Sequence, residues 1–436
     1  MGAVTAASLT PARRAAPAAA AGVALFLLAC FLPRVGLYTG EQVEDVRLFQ
    51  TFGDRFLSGE IPYRDFFLEY PPGALPSFVL PGLAPAESFT LSFKLLHAAY
   101  GCVAVALVAF TLGLLGASRS RLYAATAVAA LAPLALGPTV LNRYDLWPAL
   151  LTAAGLATLV AGRTLAGPAL LGLATVAKGY TAVLLPLALV YVWRREGREE
   201  AKRSLLGFAA AVVVVALPFA ALGPGGLKHS VWIHLRRGLH IESLGGSLLA
   251  AADRLGLYGA RIFNGFAVEV AGTLPSVVAA VSTLAQLAAL AAVWAVFARG
   301  AATPQRLATA SAAAVTAFVV FGKVLSPQYL VWLVPLVPLV RGRRGLAATA
   351  ILGAALVTTQ TWFPQRYWDY AERFDSAWVV LARNLLLVAL VVVLAVSPPA
   401  LERVRSSSRD RPDRTRRRLP RFARRRSPAP GAPASR

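Results

Sequence analysis

Apolar runs of membrane-spanning length recur from Ala18 to Val396, separated by short clusters of arginine. No water reaches the backbone inside a lipid core, so such runs must become helices that close their hydrogen bonds within each segment. About 20 helical residues cross the hydrocarbon layer. The sequence therefore predicts an all-α polytopic membrane protein. Its balance agrees: 57% of the 436 residues are hydrophobic and only 15% are charged, unlike a soluble domain.

The arginine clusters orient the runs, because basic residues stay on the cytoplasmic side. Arg13 and Arg14 precede the first run, Ala18–Val35, which reads as an uncleaved helix since no clear small-residue cleavage site follows before Pro33–Arg34. Ser92–Leu115 returns to Arg119 and Arg121, Leu122–Leu141 leads out to Asn142-Arg143-Tyr144-Asp145, and Leu146–Ala161 returns to Arg163. Leu165–Trp193 is too long for one span and is basic at both ends, which requires a hairpin with Lys178-Gly179-Tyr180 at its outer apex. With Ser204–Leu222, Val270–Phe297, Leu307–Gly322, Gln328–Val340, Leu346–Gln360 and Trp378–Val396, the expectation is about twelve crossings within residues 1–398. The piece carrying Pro71, Pro72, Pro76, Pro81 and Pro85 is too broken to span and is expected to be re-entrant or interfacial.

The formal charge of +23 would suit a nucleic-acid partner, but its distribution does not. Leu401–Arg436 holds 13 Arg against Glu402, Asp410 and Asp413, and the remaining excess lies between apolar runs. Residues 399–436 are therefore expected to be a disordered cytoplasmic arm near anionic membrane lipid. Cys30 and Cys102 both sit in apolar runs and read as packing residues. No paired Cys/His spacing exists, so neither a metal nor a cofactor is expected.

Sorting by side concentrates the chemistry in the external loops, chiefly 37–73 and 223–247. Only five lysines occur, and Lys178, Lys228 and Lys323 all fall outside, against the general bias. Basic residues on that side suggest a bound anion. In the first loop, Phe49, Phe52 and Phe56 recur at helical spacing with Leu48 and Leu57, predicting an amphipathic helix lying greasy side down in the membrane interface. Asp45 stands at its start, either as an N-cap or as a general base, with Glu41 and Glu44 as rivals. Tyr63 and Arg64 follow as candidate substrate contacts, and Glu69-Tyr70-Pro71-Pro72 makes a stiff corner that could equally fix Glu69 for substrate or redirect the chain.

Arg143, Asp145 and Lys178 cap helices on the same side. They read either as an Arg–Asp pair with a snorkelling lysine or as a cationic cradle for a lipid phosphate. His229, His234, Arg236, Arg237, His240 and Glu242 crowd the second loop, where substrate or phosphate binding suits them better than zinc. Lys323-Val-Leu-Ser-Pro-Gln328-Tyr329 carries more hydrogen-bonding groups than a plain connection needs.

The order of these motifs resembles the GT-C superfamily of polyprenyl-phosphate-sugar-dependent glycosyltransferases, and more narrowly glycosyltransferase family 87, the actinobacterial mannosyltransferases. The matching pieces are DVRLFQTFGDRFLSGEIPYRDFFLEYPPG, NRYD-LWPALL, AKGY, HLRRGLHIESL and KVLSPQYLVWLVPL, from about Asp45 to Pro338. The resemblance implies a GT-C-like bundle with external interfacial helices in the cell membrane, a catalytic Asp matching Asp45, and inverting transfer from a polyprenyl-phosphate sugar outside the cytoplasm. The acceptor would be a glycolipid or glycan. The run EQVED departs from the family's pattern and leaves Glu44 beside Asp45 as the base. The inventory suits that chemistry. A polyprenyl phosphate leaves without protonation, so one base and a positive cradle of Arg143, Lys178, Arg237 and Lys323 suffice, whereas hydrolysing a sugar–sugar bond takes two carboxylates. The rival from another class is a lipid-linked sugar flippase, which predicts mid-bilayer charges and two related halves. The charges here gather at one face instead.

Overall fold

The computed structural model describes residues 10–32, 45–265 and 267–395. Glu41, Glu44 and the arm 399–436 lie outside the described residues. Helix dominates, as the apolar runs require. Six helices are long and apolar enough to cross a membrane: Pro11–Phe31, Ala86–Leu114, Arg119–Val140, Arg198–Leu222, Thr273–Arg299 and Ala377–Ala395. Leu146–Val160, Ala166–Ala177 and Pro327–Leu339 are shorter apolar pieces, and Pro304–Phe321 and Gly342–Gln360 are further helices packed among them. The largest core cluster joins residues of these helices, including Phe26, Val108, Leu156, Val315 and Leu387. Along Arg198–Leu222 only Ser204 is buried, so that helix turns its apolar surface outward, the arrangement lipid favours.

One run breaks where its sequence says it should, and two runs expected to be continuous are interrupted as well. The apolar stretch 165–193 breaks at Lys178, whose backbone is extended between helix Ala166–Ala177 and a 3-10 turn, Gly179–Leu184, that leads into helix Leu185–Glu196. The span expected over Leu122–Leu141 is helical but segmented, with α-helix to Ala130, a short α-helix Ala132–Leu136 and a 3-10 turn Gly137–Val140; Gly137 takes φ 70°, a conformation that costs a glycine little. Gln328–Val340 is built of 3-10 turns at Pro327–Leu333 and Val337–Leu339 instead of a straight helix, because Pro327, Pro335 and Pro338 deny it continuous hydrogen bonding.

The helical architecture carries one small addition: β1 (Leu239–His240), β2 (Arg261–Asn264) and β3 (Val268–Ala271) form an antiparallel sheet in the order β1-β3-β2. Leu239 faces Val270, and Ile262 faces the same Val270 from the other edge. Leu239, Val268 and Val270 bury against Trp362, Phe363 and Tyr370, a second core beside the bundle.

One expectation, the covering of helix Val46–Leu57, is corrected in part. Val46, Phe49 and Phe52 are buried in protein, with Phe49 stacked on Phe78 at 4.7 Å and on Phe93 at 5.4 Å. Only Leu48, Phe56 and Leu57 of its apolar residues stay exposed. Of the five residues expected to face lipid, Phe49 and Phe52 pack on the chain's own aromatic residues, and the other three stay exposed. The proline-rich piece that follows folds as Pro72–Ala74 and Pro76–Gly82, short helices packed on this same cluster.

Candidate active site

Three close backbone approaches bring the distant motifs together. Gly73 of EYPPG lies so near the end of helix Ala166–Ala177 that a Cβ there would sit 2.7 Å from Ala177 N. Its carbonyl accepts a 2.9 Å bond from Trp147 Nε1, which ties in the helix after NRYD. Gly223 and Gly226 close on the turn at Tyr63, where a Cβ on Gly226 would lie 2.0 Å from Tyr63 O. Tyr63 itself holds φ 69° and donates its hydroxyl to Tyr70 O at 2.5 Å. Buried against Phe219, it shapes the loop.

On this scaffold three ion pairs assemble, each joining two separate motifs. Asp45 makes no capping bond to its helix. Its Oδ2 instead faces Arg143 Nε at 3.4 Å, with the carboxylate side chain 34% exposed and the guanidinium side chain 3%. Asp145 accepts from Lys178 Nζ at 2.6 Å and from Trp332 Nε1 at 2.6 Å. The Lys178 ammonium also lies 4.3 Å from the Tyr144 ring centre, 5.3 Å from Trp332 and 5.5 Å from Tyr329. Trp332 is stacked between Tyr180 at 4.0 Å and Tyr329 at 4.1 Å, so an aromatic box encloses the lysine. In the third pair Arg237 Nη2 stands 3.6 Å from Glu69 Oε2. Burial raises the Glu69 carboxyl above its usual range, a tendency opposed by the Tyr70 hydrogen bond and Arg237 and reinforced by Asp45.

The stretch 223–247 divides. His234 Nε2 meets Glu69 O at 2.8 Å and Ser230 Oγ donates to the same oxygen at 3.0 Å, so helix Pro224–Arg236 clamps the corner. His229 turns to Phe67, and Arg236 covers Trp232. His240 lies on β1, its backbone N–H bonded to Lys323 O at 3.0 Å and its Nδ1 to Leu325 O at 2.6 Å. Burial pushes its imidazole down to about 4, so it is neutral at pH 7 and donates from Nδ1 to the carbonyl. Burial likewise pushes the Glu242 carboxyl up to about 8, against the pull of Arg383 and Arg143.

Thus Asp45, Glu69, Tyr70, Arg143, Asp145, Lys178, Arg237 and Tyr329 gather with His234 at one site, and Glu242 is coupled to it through Arg143. Lys323 joins through its backbone, while its ammonium turns to Leu235 O at 2.8 Å. Gln328 is half-buried on the 3-10 turn beside Tyr329. Arg64 stands apart, exposed and paired with Asp65 at 2.9 Å. Arg383 and Asn384, both buried, escaped the sequence reading. An arginine inside the apolar run Trp378–Val396 is the signal that could have found them, since such a residue is costly in a span without a role.

Glycosyltransferase family 87 matches the chain over residues 67–327. That segment takes in Glu69, the NRYD and AKGY motifs, His240 and Lys323, and begins after Asp45. No curated protein matches the chain. Among solved structures, one of ArnT from Cupriavidus metallidurans bound to undecaprenyl phosphate aligns at 15% identity and a TM-score of 0.45, covering 87% of this chain and 76% of that one.

Proposed function

The chain belongs to glycosyltransferase family 87, and from that premise we propose that it moves a hexose, with inversion, from a polyprenyl-phosphate sugar to a glycolipid or glycan hydroxyl outside the cytoplasmic membrane. Mannose is the sugar that the motif resemblance favours. The observation that carries the reading is the Asp45 carboxylate, released from any capping role, half-exposed and set against a buried Arg143.

In the reaction the acceptor oxygen attacks the anomeric carbon from the face opposite the phosphate. Asp45 takes the acceptor's proton, the C–O bond to the phosphate breaks, and the departing oxygen keeps the electron pair. The phosphate needs no proton to leave, so no acid is required. Its charge falls to preorganised cations. Arg143 and Arg237 are placed for this, and Lys178 adds a charge held in position by Asp145 and the aromatic box. All three are already paired with carboxylates, so an arriving phosphate competes for them. Burial raises the Glu69 carboxyl, which weakens its hold on Arg237 when a phosphate arrives.

Polyprenyl phosphate without a sugar tests the cradle. Arg143→Gln or Arg237→Gln weakens its binding by about tenfold, the loss expected for a charge-assisted hydrogen bond of ~1.5 kcal/mol or more. Unchanged affinity in both variants would assign these arginines to structure.

A further inference from the structure

One cluster next to the site remains without a use. Arg383 and Asn384, on helix Ala377–Ala395, are 0% exposed, and Glu242 is 2% exposed. Arg383 Nη2 and Asn384 Nδ2 both donate to the main-chain oxygen of Glu242, at 3.0 and 3.2 Å, and Asn384 Nδ2 also reaches Ser247 Oγ at 2.9 Å. Those bonds anchor the turn after β1. They leave Arg383 Nε and Nη1, Asn384 Oδ1 and Glu242 Oε2 with no hydrogen-bond partner among the described residues, and Trp362 Nε1, beneath the guanidinium, is in the same condition. Leaving so many buried polar atoms unsatisfied costs more than apolar packing of the same space would, so the arrangement needs a reason.

We infer that Arg383, Asn384 and the Glu242 carboxyl form a subsite that hydrogen-bonds the hydroxyl groups of a sugar ring, beside Asp45 and Arg143. The inference rests on the glycosyltransfer reading and adds to it where a sugar is held. The mixture of groups selects the ligand class. A phosphate wants donors alone, but here guanidinium and indole N–H donors alternate with an amide oxygen and a carboxyl group. With its pKa near 8, Glu242 carries a proton at neutral pH, so it both gives and accepts. Neutral hydroxyls, which also do both, are the complement. The subsite lies within electrostatic reach of the reacting groups: Arg143 and Arg383 both influence Glu242, and Glu242, Arg143 and Asp45 all influence Tyr367. The sugar is either that of the donor or that of the acceptor.

The test uses the full chain in lipid nanodiscs and exploits one detail. Both anchoring bonds end on the main chain of Glu242, so its side chain can be removed without breaking them. Glu242→Leu should melt at the same temperature as the unaltered protein or higher, since it removes an unsatisfied polar group. It should bind polyprenyl phosphate normally. It should lose about tenfold either in affinity for polyprenyl-phosphate mannose, which places the donor sugar here, or in acceptor KM, which places the acceptor sugar here. Arg383→Lys, which keeps the charge and one donor, should lose in the same assay as Glu242→Leu. Donor affinity and acceptor KM both within twofold in both variants would overturn the subsite, as would an equal loss against polyprenyl phosphate alone. Transfer by the unaltered protein alongside indifferent variants overturns this inference only. Absence of transfer by the unaltered protein, offered polyprenyl-phosphate mannose or glucose with a mannosylated lipid acceptor, overturns the glycosyltransfer reading and the subsite with it.

Discussion

Each carboxylate at the site has a cation from elsewhere in the chain, and the pairs differ in what they can give up. Lys178 and Asp145 are both largely buried. Removing one partner strands the other, so Asp145→Leu or Lys178→Met should destabilise the protein by ~3–5 kcal/mol, while the two changes together recover most of the loss. Thermal melting of the four proteins measures this, and additive losses would contradict it. Glu242 gives a pH signature. Its folded pKa, near 8, lies above its ordinary 4.5, so the folded state keeps a proton that the unfolded chain releases. Its contribution is full below the unfolded pKa and is lost as pH rises through the folded one. The groups facing it do not confuse the window: Arg383 and Arg143 stay charged, and His240, near 4, stays neutral. The melting temperature of Glu242→Gln should therefore gain on that of the unaltered protein between pH 4.5 and 8 and hold its lead above. A constant difference would show that the carboxyl ionises freely. Sequence alone could nominate Asp45, Arg143, Asp145 and Lys178, because charged residues at the ends of apolar runs are conspicuous. It could not pair them, and the Arg143–Asp145 pair that adjacency suggests gives way to Arg143–Asp45 and Asp145–Lys178.

Glycine contacts fix the elements against one another. A side chain at Gly226 would collide with the Tyr63 carbonyl, a backbone atom that cannot swing away. Gly226→Val should push helix Pro224–Arg236 off the first loop, loosening the His234 clamp on Glu69. Transfer should fall at least tenfold, with a stability loss of ~1–3 kcal/mol. Normal turnover in purified Gly226→Val would show that the clamp is dispensable. Helix Val46–Leu57 shows where the legibility of elements stops. Phenylalanine spacing was enough to place the helix and its apolar face. What covers that face was not in the pattern, because a lipid surface and the rings of Tyr70, Phe78 and Phe93 ask for the same residues. The small sheet was missed for another reason: β1 is two residues long, too short for alternation to register, and its partner strands lie in a stretch without clear periodicity.

For the whole molecule, the apolar runs and arginine clusters made the polytopic membrane class plain, and family membership agrees with it. The number of crossings was less accessible, since proline and glycine divide several runs into short helices and 3-10 turns whose lengths do not say whether they span. Sidedness is a separate prediction. A single cysteine at Gly179, which is exposed beside Lys178, should react with an impermeant reagent in intact cells, and one at exposed Gly197 should not. Protection at Gly179 would place the Lys178 end of the site inside and contradict transfer at the outer face. The proposed reaction leans on the role of Asp45, and one substitution isolates it. Asn caps a helix about as well as Asp, and Asp45 makes no capping bond to lose, so Asp45→Asn should fold and bind polyprenyl phosphate. A general base contributes ~10²–10⁴-fold in rate, so sugar transfer from labelled polyprenyl-phosphate mannose by the purified variant should fall by at least a hundredfold. Near-normal transfer would contradict the account at its centre.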